Sequence, residues 1–523
     1  MNRPARYLFA SFFMLLVASL IFNQVGGPES LRIYHIIPLF IVFGGLGFAV
    51  YGYHVYGFDG RFGLLLFTYM LCMVVLIGVA LQQGGLGFPA PGRAVKLGLI
   101  ALLVMFFLGV CPKQLRFIKQ TWVYLFAFFV LFSIHLLHAV PLSPSGGSAS
   151  VPIWAGFLMG LNLFVIPRYV SRNTFLWVLS LFASVSVLLG ALAYSIGPYS
   201  VLGMNVTLWD ETFSPIFVSG QLYPLESVFP NPNTFGFIGF MGAAAAIMLA
   251  IGQFPSSNSD HEGQSVRADG ASATVLSFPY MFSLGLSFFA GVLFVINVLG
   301  MYLSNSRASY LALAMALLLF FSYITLGRRS LPFAFVGLTS VVLLFLFLLP
   351  QLGISASGRF ALWSGALEAF LQQPKLLGEG IINTKEFIAP YVEEPYSGHS
   401  PHNSYLNIFL RAGLIGGGMY LLIIVGSLFS GALRRDRVDV PALVLAFGCA
   451  IHQMFEAYSL FWYTIMAVIS SLAFGYLIMN GAWIDQPEEP ANDRKRNRNS
   501  RKSRNTSRSK SRSETWSRPE WNR

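Results

Sequence analysis

Two residue types in this chain suit the displacement of an anionic leaving group: a histidine to take a proton and arginines to hold oxyanions. The histidine is His402, which follows Pro401 and opens the run HNSYLNIFLRAGLIGGG. Imidazole titrates near neutrality when unperturbed, so it can accept a proton from a hydroxyl at physiological pH. Arg307, in SNSRASYLAL, and Arg359, in GRFALWSGALEAFLQQ, each carry a planar fork of N–H donors that matches phosphate oxygens. Asn403, Trp363, Asn233 and Glu456 complete the set that could touch a substrate. Glu456, with His452 and Tyr458 close by in sequence, interrupts an apolar stretch, where an ionisable residue marks a site by default.

Each residue also has a plainer reading. His402 could simply cap a helix, and Arg307 could be a snorkelling anchor at the end of a span. Arg359 could pair with Glu368 or stack on Trp363. His399 and His402 form an HxxH pair with Glu393 and Glu394 upstream, but no third ligand is fixed, so no metal site is expected. Asp210, Glu211 and Glu226 either contact substrate or stay solvated. Cys72, Cys111 and Cys449 sit in or beside apolar runs and read as small buried hydrophobes, not as a disulfide or thiolate site.

The elements that must carry these residues belong in a membrane. The chain has 523 residues, 55% of them hydrophobic and only 11% charged, with 49 Phe. A soluble domain usually has about a quarter charged residues. Apolar runs long enough to cross roughly 30 Å of hydrocarbon recur along the chain, and in lipid such runs must be helices that satisfy their own backbone. The pattern predicts an all-α, polytopic membrane protein of about fourteen transmembrane helices, with twelve as the lower bound. The spans fall near 7–24, 33–53, 63–83, 96–112, 120–141, 151–167, 174–196, 234–253, 276–303, 310–327, 331–352, 403–428, 441–457 and 461–481. The first reads as a retained helix and not a cleaved signal.

Arg3 and Arg6, Lys113 with Arg116 and Lys119, Arg168 with Arg172, Arg328 with Arg329, and Arg434 with Arg435 and Arg437 then share one side, the cytoplasmic one. Arg32, Arg93 and Lys96 are exceptions. The organisation that follows is N-terminal helices over 1–196 and an extracytoplasmic loop over 197–233. Helices over 234–352 come next, with a polar cytoplasmic connector at 254–275. A large extracytoplasmic loop covers 353–402, C-terminal helices 403–484, and a basic tail 485–523. From Asp485 onward, 12 Lys and Arg stand against 6 Asp and Glu, a net +6 that is half of the chain's +12. Such a tail is expected to be disordered, cytoplasmic and attracted to anionic lipid headgroups, with no nucleic-acid partner. Both long loops are aromatic, and the second is expected to hold a helix on the membrane surface with Phe360, Trp363, Leu367, Phe370 and Leu371 on its apolar stripe.

His402-Asn403, nine residues, and then Gly413-Leu414-Ile415-Gly416 resembles the signature of the O-antigen ligase and polymerase superfamily. FPNPNTFGFIGF around Asn231 and Asn233, SNSRASYLAL around Arg307, and GRFALWSGALEAFLQQPKLLGEG around Arg359 and Trp363 match in the same order. The likeness covers about 220–480; the N-terminal half is similar only in being hydrophobic and multi-spanning. It implies a bacterial enzyme of the cytoplasmic (inner) membrane with its active site on the periplasmic face. Such an enzyme moves a glycan from a polyprenyl diphosphate carrier to a glycan, a lipid A-core or a protein, with neither metal nor cofactor. It further implies His402 as the base and Arg307 and Arg359 as ligands of the diphosphate. Polysaccharide polymerase, protein O-glycosyltransferase and lipid-linked sugar flippase remain alternatives.

The basic clusters place the C-terminus in the cytoplasm. A reporter active only outside the cytoplasm, fused after Arg523, should therefore be silent, and an active fusion would put His402 on the wrong face.

Overall fold

The structure is a computed structural model. It describes residues 121–139, 155–156, 159–160, 162–164, 166–169, 172–201, 204–214, 220–252, 278–351, 358–380, 383–433, 438–460 and 464–479. All of these belong to one compact unit. The spans expected near 7–24, 33–53, 63–83 and 96–112, the connector 254–275 and the tail 485–523 lie outside the described residues.

Seven helices among the described residues are long and apolar enough to cross a membrane. They are built on α1 (Thr121–Ala139), α2 (Arg172–Ile196), α3 (Pro232–Gly252), α4 (Phe278–Leu303), α5 (Arg307–Leu326), α6 (Leu331–Gln351) and α8 (Ser404–Leu421), which runs on through a π-helical turn to Leu433. Between α6 and α8 lies α7 (Arg359–Gln372), and two shorter apolar helices follow, α9 (Val440–Gln453) and α10 (Ile465–Met479).

Helix α3 is central, with neighbours on almost every side. In lipid, apolar side chains gain little by leaving one apolar solvent for another, so close packing of small residues drives association. Gly236, Gly239 and Gly242 of α3 supply it. A Cβ at Gly242 would collide with Ala183 of α2, one at Gly239 would crowd Met301 and Asn297 of α4, and one at Gly236 would strike Ser304 and Ser306 just before α5. Helix α6, by contrast, leaves Phe333, Val341 and Phe347 exposed on a lipid-like surface.

The loop at 197–233 corrects the all-α expectation. It forms a three-stranded antiparallel sheet, β1 (Tyr199–Val201), β2 (Met204–Leu208) and β3 (Leu225–Ser227), in which Tyr199 faces Val206 and Leu208 faces Leu225. Strands of three to five residues are too short to show period-two alternation, which is why the sequence pattern missed them. Ser227, at φ +57°, donates its hydroxyl to Ser186 O at 2.6 Å, and Tyr199 donates to Leu189 O at 2.6 Å, so α2 carries the sheet.

Two further corrections bear on the site. Helix α7 buries Leu362, Gly365, Ala366 and Ala369, while Leu367 and Leu371 of the expected apolar stripe are exposed. Gly365, Ala366 and Ala369 admit close approach to the protein, with Phe370 packed beside them, while Leu367 and Leu371 turn outward. The span expected as one helix from 403 is broken at Gly413, whose φ of +70° and ψ of −166° interrupt α8. At 1.5 Å per residue the break lies roughly 14 Å along the helix from Ser404, and the backbone groups it frees need partners.

The segment 375–380 fills that need. Glu379 N donates to Leu410 O at 2.9 Å and Gly380 N to Arg411 O at 2.9 Å, while Leu414 N and Ile415 N donate to Lys375 O at 3.1 Å and Leu376 O at 3.0 Å. All four groups freed by the break are thereby satisfied. Gly378, at φ +78°, lies so close to Gly413 that a Cβ on either would collide with the other's backbone. His138 at the end of α1 fixes this strap from outside through Nε2 to Leu377 O at 2.8 Å.

Gly413→Ala and Gly378→Ala should each cost about 2 kcal/mol or more, from left-handed strain combined with a backbone clash. Gly418→Ala, where a Cβ meets open space, should be neutral. Thermal unfolding in detergent would show this ranking, and equal midpoints for all three would refute the strap.

Candidate functional site

Helices α9 and α10 have 14 and 15 residues. At 1.5 Å per residue they reach roughly 21 and 22 Å, short of the roughly 30 Å hydrocarbon core. Between them Phe455, Glu456, Tyr458, Ser459 and Leu460 are buried on irregular backbone. The sequence pattern carried the helix on to 457; it stops at Gln453, which places Glu456 in the connection. Irregular backbone is tolerated at membrane depth only inside protein, and here protein surrounds it.

Glu456 is where the segments meet. Its side chain is 8% exposed and its Oε1 accepts from Arg359 Nη2 at 3.0 Å. Its Oε2 lies 3.6 Å from His402 Nδ1, an electrostatic contact and not a hydrogen bond. The backbone is held as well: Ser404 Oγ donates to Glu456 O at 2.6 Å and accepts from Tyr458 N at 2.9 Å. Ser404 is the first residue of α8, so one hydroxyl ties the start of that helix to both sides of Glu456's neighbourhood.

Arg359 begins α7 directly after Gly358, whose φ of +72° turns the chain into the helix. Its guanidinium sits 5.8 Å from the centroid of Phe455 and its side chain is 19% exposed. The alternatives of Glu368 or Trp363 as its partner are not what the structure shows. Glu368 accepts from Gln372 at 3.1 Å, and Trp363 donates Nε1 to Pro401 O at 2.8 Å while its ring packs 5.9 Å from that of Phe455. Trp363 thus fixes the residue before His402.

His402 stands at φ +43°, with its N–H donated to Ser400 Oγ at 3.3 Å and its side chain 42% exposed. Nδ1 faces the carboxylate, and Nε2 has no partner among the described residues. Asn403 is the N-cap of α8; its Oδ1 accepts from Tyr405 N at 3.0 Å and Leu406 N at 3.1 Å. The helix-capping role considered for His402 therefore belongs to its neighbour, as Asn side chains commonly provide.

Arg307 is exposed at the start of α5 and has no ion-pair partner among the described residues. No side chain caps this helix, because the Ser306 hydroxyl turns to Ser309 Oγ at 2.8 Å. An uncapped helix start beside a guanidinium favours an anion. Asn233 lies in the first turn of α3, which Asn231 caps through Thr234 N at 2.8 Å, and Gly236 one turn on abuts Ser304 and Ser306. Asn233 and Arg307 therefore occupy the same end of the bundle.

Elsewhere in the loops, Glu226 is buried, and its carboxyl is pushed above the usual carboxylate range by burial and further by Asp210, against the opposing hydroxyl of Thr207 at 2.8 Å. Asp210 and Glu211 are exposed, as are Glu393, Glu394 and His399. No group of three His, Cys, Asp or Glu among the described residues could hold a metal ion. Sequence reasoning missed Ser404, Phe455 and Gly358, which have no chemical signature of their own. It named Glu456 from its depth without finding its partners.

Glu456→Ala should destabilise the protein by about 3 kcal/mol, because it strands the partly buried Arg359 charge. Glu456→Gln keeps an acceptor for Arg359 and should cost less. Unchanged thermal unfolding of the alanine variant in detergent would mean that the pair does not hold these segments.

Compared with known families, residues 292–421 match the model of the family described as O-antigen ligase. The matched stretch contains Arg307, Arg359, Trp363, His402, Asn403 and Gly413, while Asn233 and Glu456 lie outside it. No curated protein matches the chain at a significant level.

Proposed function

We propose, from the premise that residues 292–421 carry the O-antigen ligase pattern, that this chain is a membrane glycosyltransferase working on a polyprenyl diphosphate-linked glycan. The observation that supports this most is the meeting of Arg359 and His402 on one buried carboxylate, Glu456, from segments far apart in sequence.

In this reading an acceptor hydroxyl attacks the anomeric carbon of the donor glycan. The bond from that carbon to the diphosphate oxygen breaks, and the leaving diphosphate takes the electron pair. The hydroxyl proton passes to Nε2 of His402, since Nδ1 faces Glu456 and the carboxylate favours the proton there; the same carboxylate stabilises the imidazolium that forms. Arg307 and Arg359 hold the diphosphate as its charge grows, by charge-assisted donors placed where charge develops. A single displacement inverts the anomeric configuration. Trp363 and Asn403 shape the site by fixing the chain on either side of His402, and Asn233 belongs to its rim.

The face is the periplasmic side of an inner membrane, supported by Arg328 and Arg329 at the opposite end of α5 from Arg307. Acceptors of three kinds fit the chemistry: another glycan, a lipid A-core or a protein hydroxyl. The flippase alternative calls for broken helices whose free ends bind cargo. Here the broken α8 has its freed groups taken by 375–380, which favours the enzyme reading.

In vesicles supplied with labelled lipid-linked glycan, His402→Ala should lose roughly 100- to 10,000-fold in rate with normal expression. Arg359→Lys keeps a charge for Glu456 but loses the fork, so it should also be impaired. Wild-type turnover by a correctly inserted His402→Ala would overturn this mechanism.

A further inference from the structure

His452 is fully buried in the last turn of α9, four residues before Glu456, and the mechanism above makes no use of it. Its ring is boxed by Phe237 and Phe240 of α3 at 5.1 and 6.3 Å and by Tyr458 at 5.5 Å. A leucine would fill such a box without the cost of desolvating an imidazole. The ring makes one hydrogen bond, between Nε2 and Ser309 Oγ at 3.2 Å, and Nδ1 has no hydrogen-bond partner.

That one bond leads straight to Arg307. Ser309 Oγ meets Ser306 Oγ at 2.8 Å, and Ser306 N donates to Ser304 Oγ at 3.2 Å, which in turn donates to Met301 O at 2.6 Å. All three serines are buried, and between them Asn305 adopts φ +53° to make the tight turn that ends α4 and starts α5 at Arg307. The turn's geometry is therefore set by a chain of hydroxyls, and His452 is the link from that chain to another helix. The connection that leaves the same helix carries Glu456, which holds Arg359.

We propose that His452 is a positioning residue: through Ser309 and Ser306 it fixes the turn carrying Arg307 relative to the Arg359–Glu456 pair, so that both guanidinium groups engage one diphosphate. This rests on the donor reading given above. Its distinctive consequence is that the influence of His452 on the donor passes through Arg307. A bundle-packing role would not depend on that side chain.

The test measures binding of a polyprenyl diphosphate to the detergent-purified full chain, and donor KM and kcat in vesicles, for His452→Leu, Ser309→Ala and His452→Gln. Each is made in wild type and in Arg307→Ala. His452→Leu and Ser309→Ala should each weaken binding and raise KM about tenfold, with kcat changed far less, a coupling of ordinary size for groups in one network. His452→Gln, which retains a polar group towards Ser309, should recover most of the loss. In the Arg307→Ala background the same substitutions should change binding less than about twofold. Equal losses in both backgrounds, or a loss confined to kcat, would overturn the proposal. Should His452→Leu fail to fold, Ser309→Ala removes the same bond from the other side and decides alone. Coupled lipid diphosphate binding without any glycan transfer would sink the enzyme reading and leave this one standing; no lipid diphosphate binding by wild type would sink both.

Discussion

A carboxylate buried among packed helices has to be compensated, and the site is organised around that requirement. Glu456 cannot rely on water, and desolvating an isolated ion costs several kcal/mol even after relaxation. It draws Arg359 from α7 to one oxygen and His402 from the start of α8 to the other. Removing either the charge or the irregular backbone that presents it would release segments separated by about a hundred residues of chain. The pair is less a source of net stability than a device that specifies one arrangement.

The same logic of unsatisfied groups explains the broken helix. Four backbone groups freed around Gly413 would be prohibitive in hydrocarbon, yet all four are bonded to residues 375–380. Because that strap follows α7, it also fixes the first half of α8 against the helix that carries Arg359. Gly378 and Gly413 are needed because two backbones pass within a distance that leaves no room for a Cβ. The irregular features of the region, the break in α8 and the non-helical link between α9 and α10, thus lie on the elements that present His402 and Glu456.

Around this centre the remaining helices act as scaffold. Gly-rich α3 lets α2, α4, α5 and α9 close in, and its tight contact with the Ser304–Ser306 turn brings the Arg307 end of α5 beside the last turn of α9. Outward surfaces such as that of α6 are apolar without pattern, as expected where the outer solvent is lipid.

The sequence by itself determined the class of solvent, the bounds of α1 to α6 to within a few residues, and the residues put forward for chemistry. Apolar run length reports bilayer thickness directly, and His402, Arg307, Arg359 and Glu456 stand out because ionisable groups are costly among apolar ones. Only the tertiary structure decided which charge meets which. Glu456 and Arg359 are 97 positions apart, and no local rule prefers Glu456 over the Glu368 that shares a helix with Arg359. The three-stranded sheet, the break at Gly413 and the buried face of α7 were invisible for a related reason. Each is fixed by contacts with distant backbone or small residues, and periodicity reports only what a segment does alone.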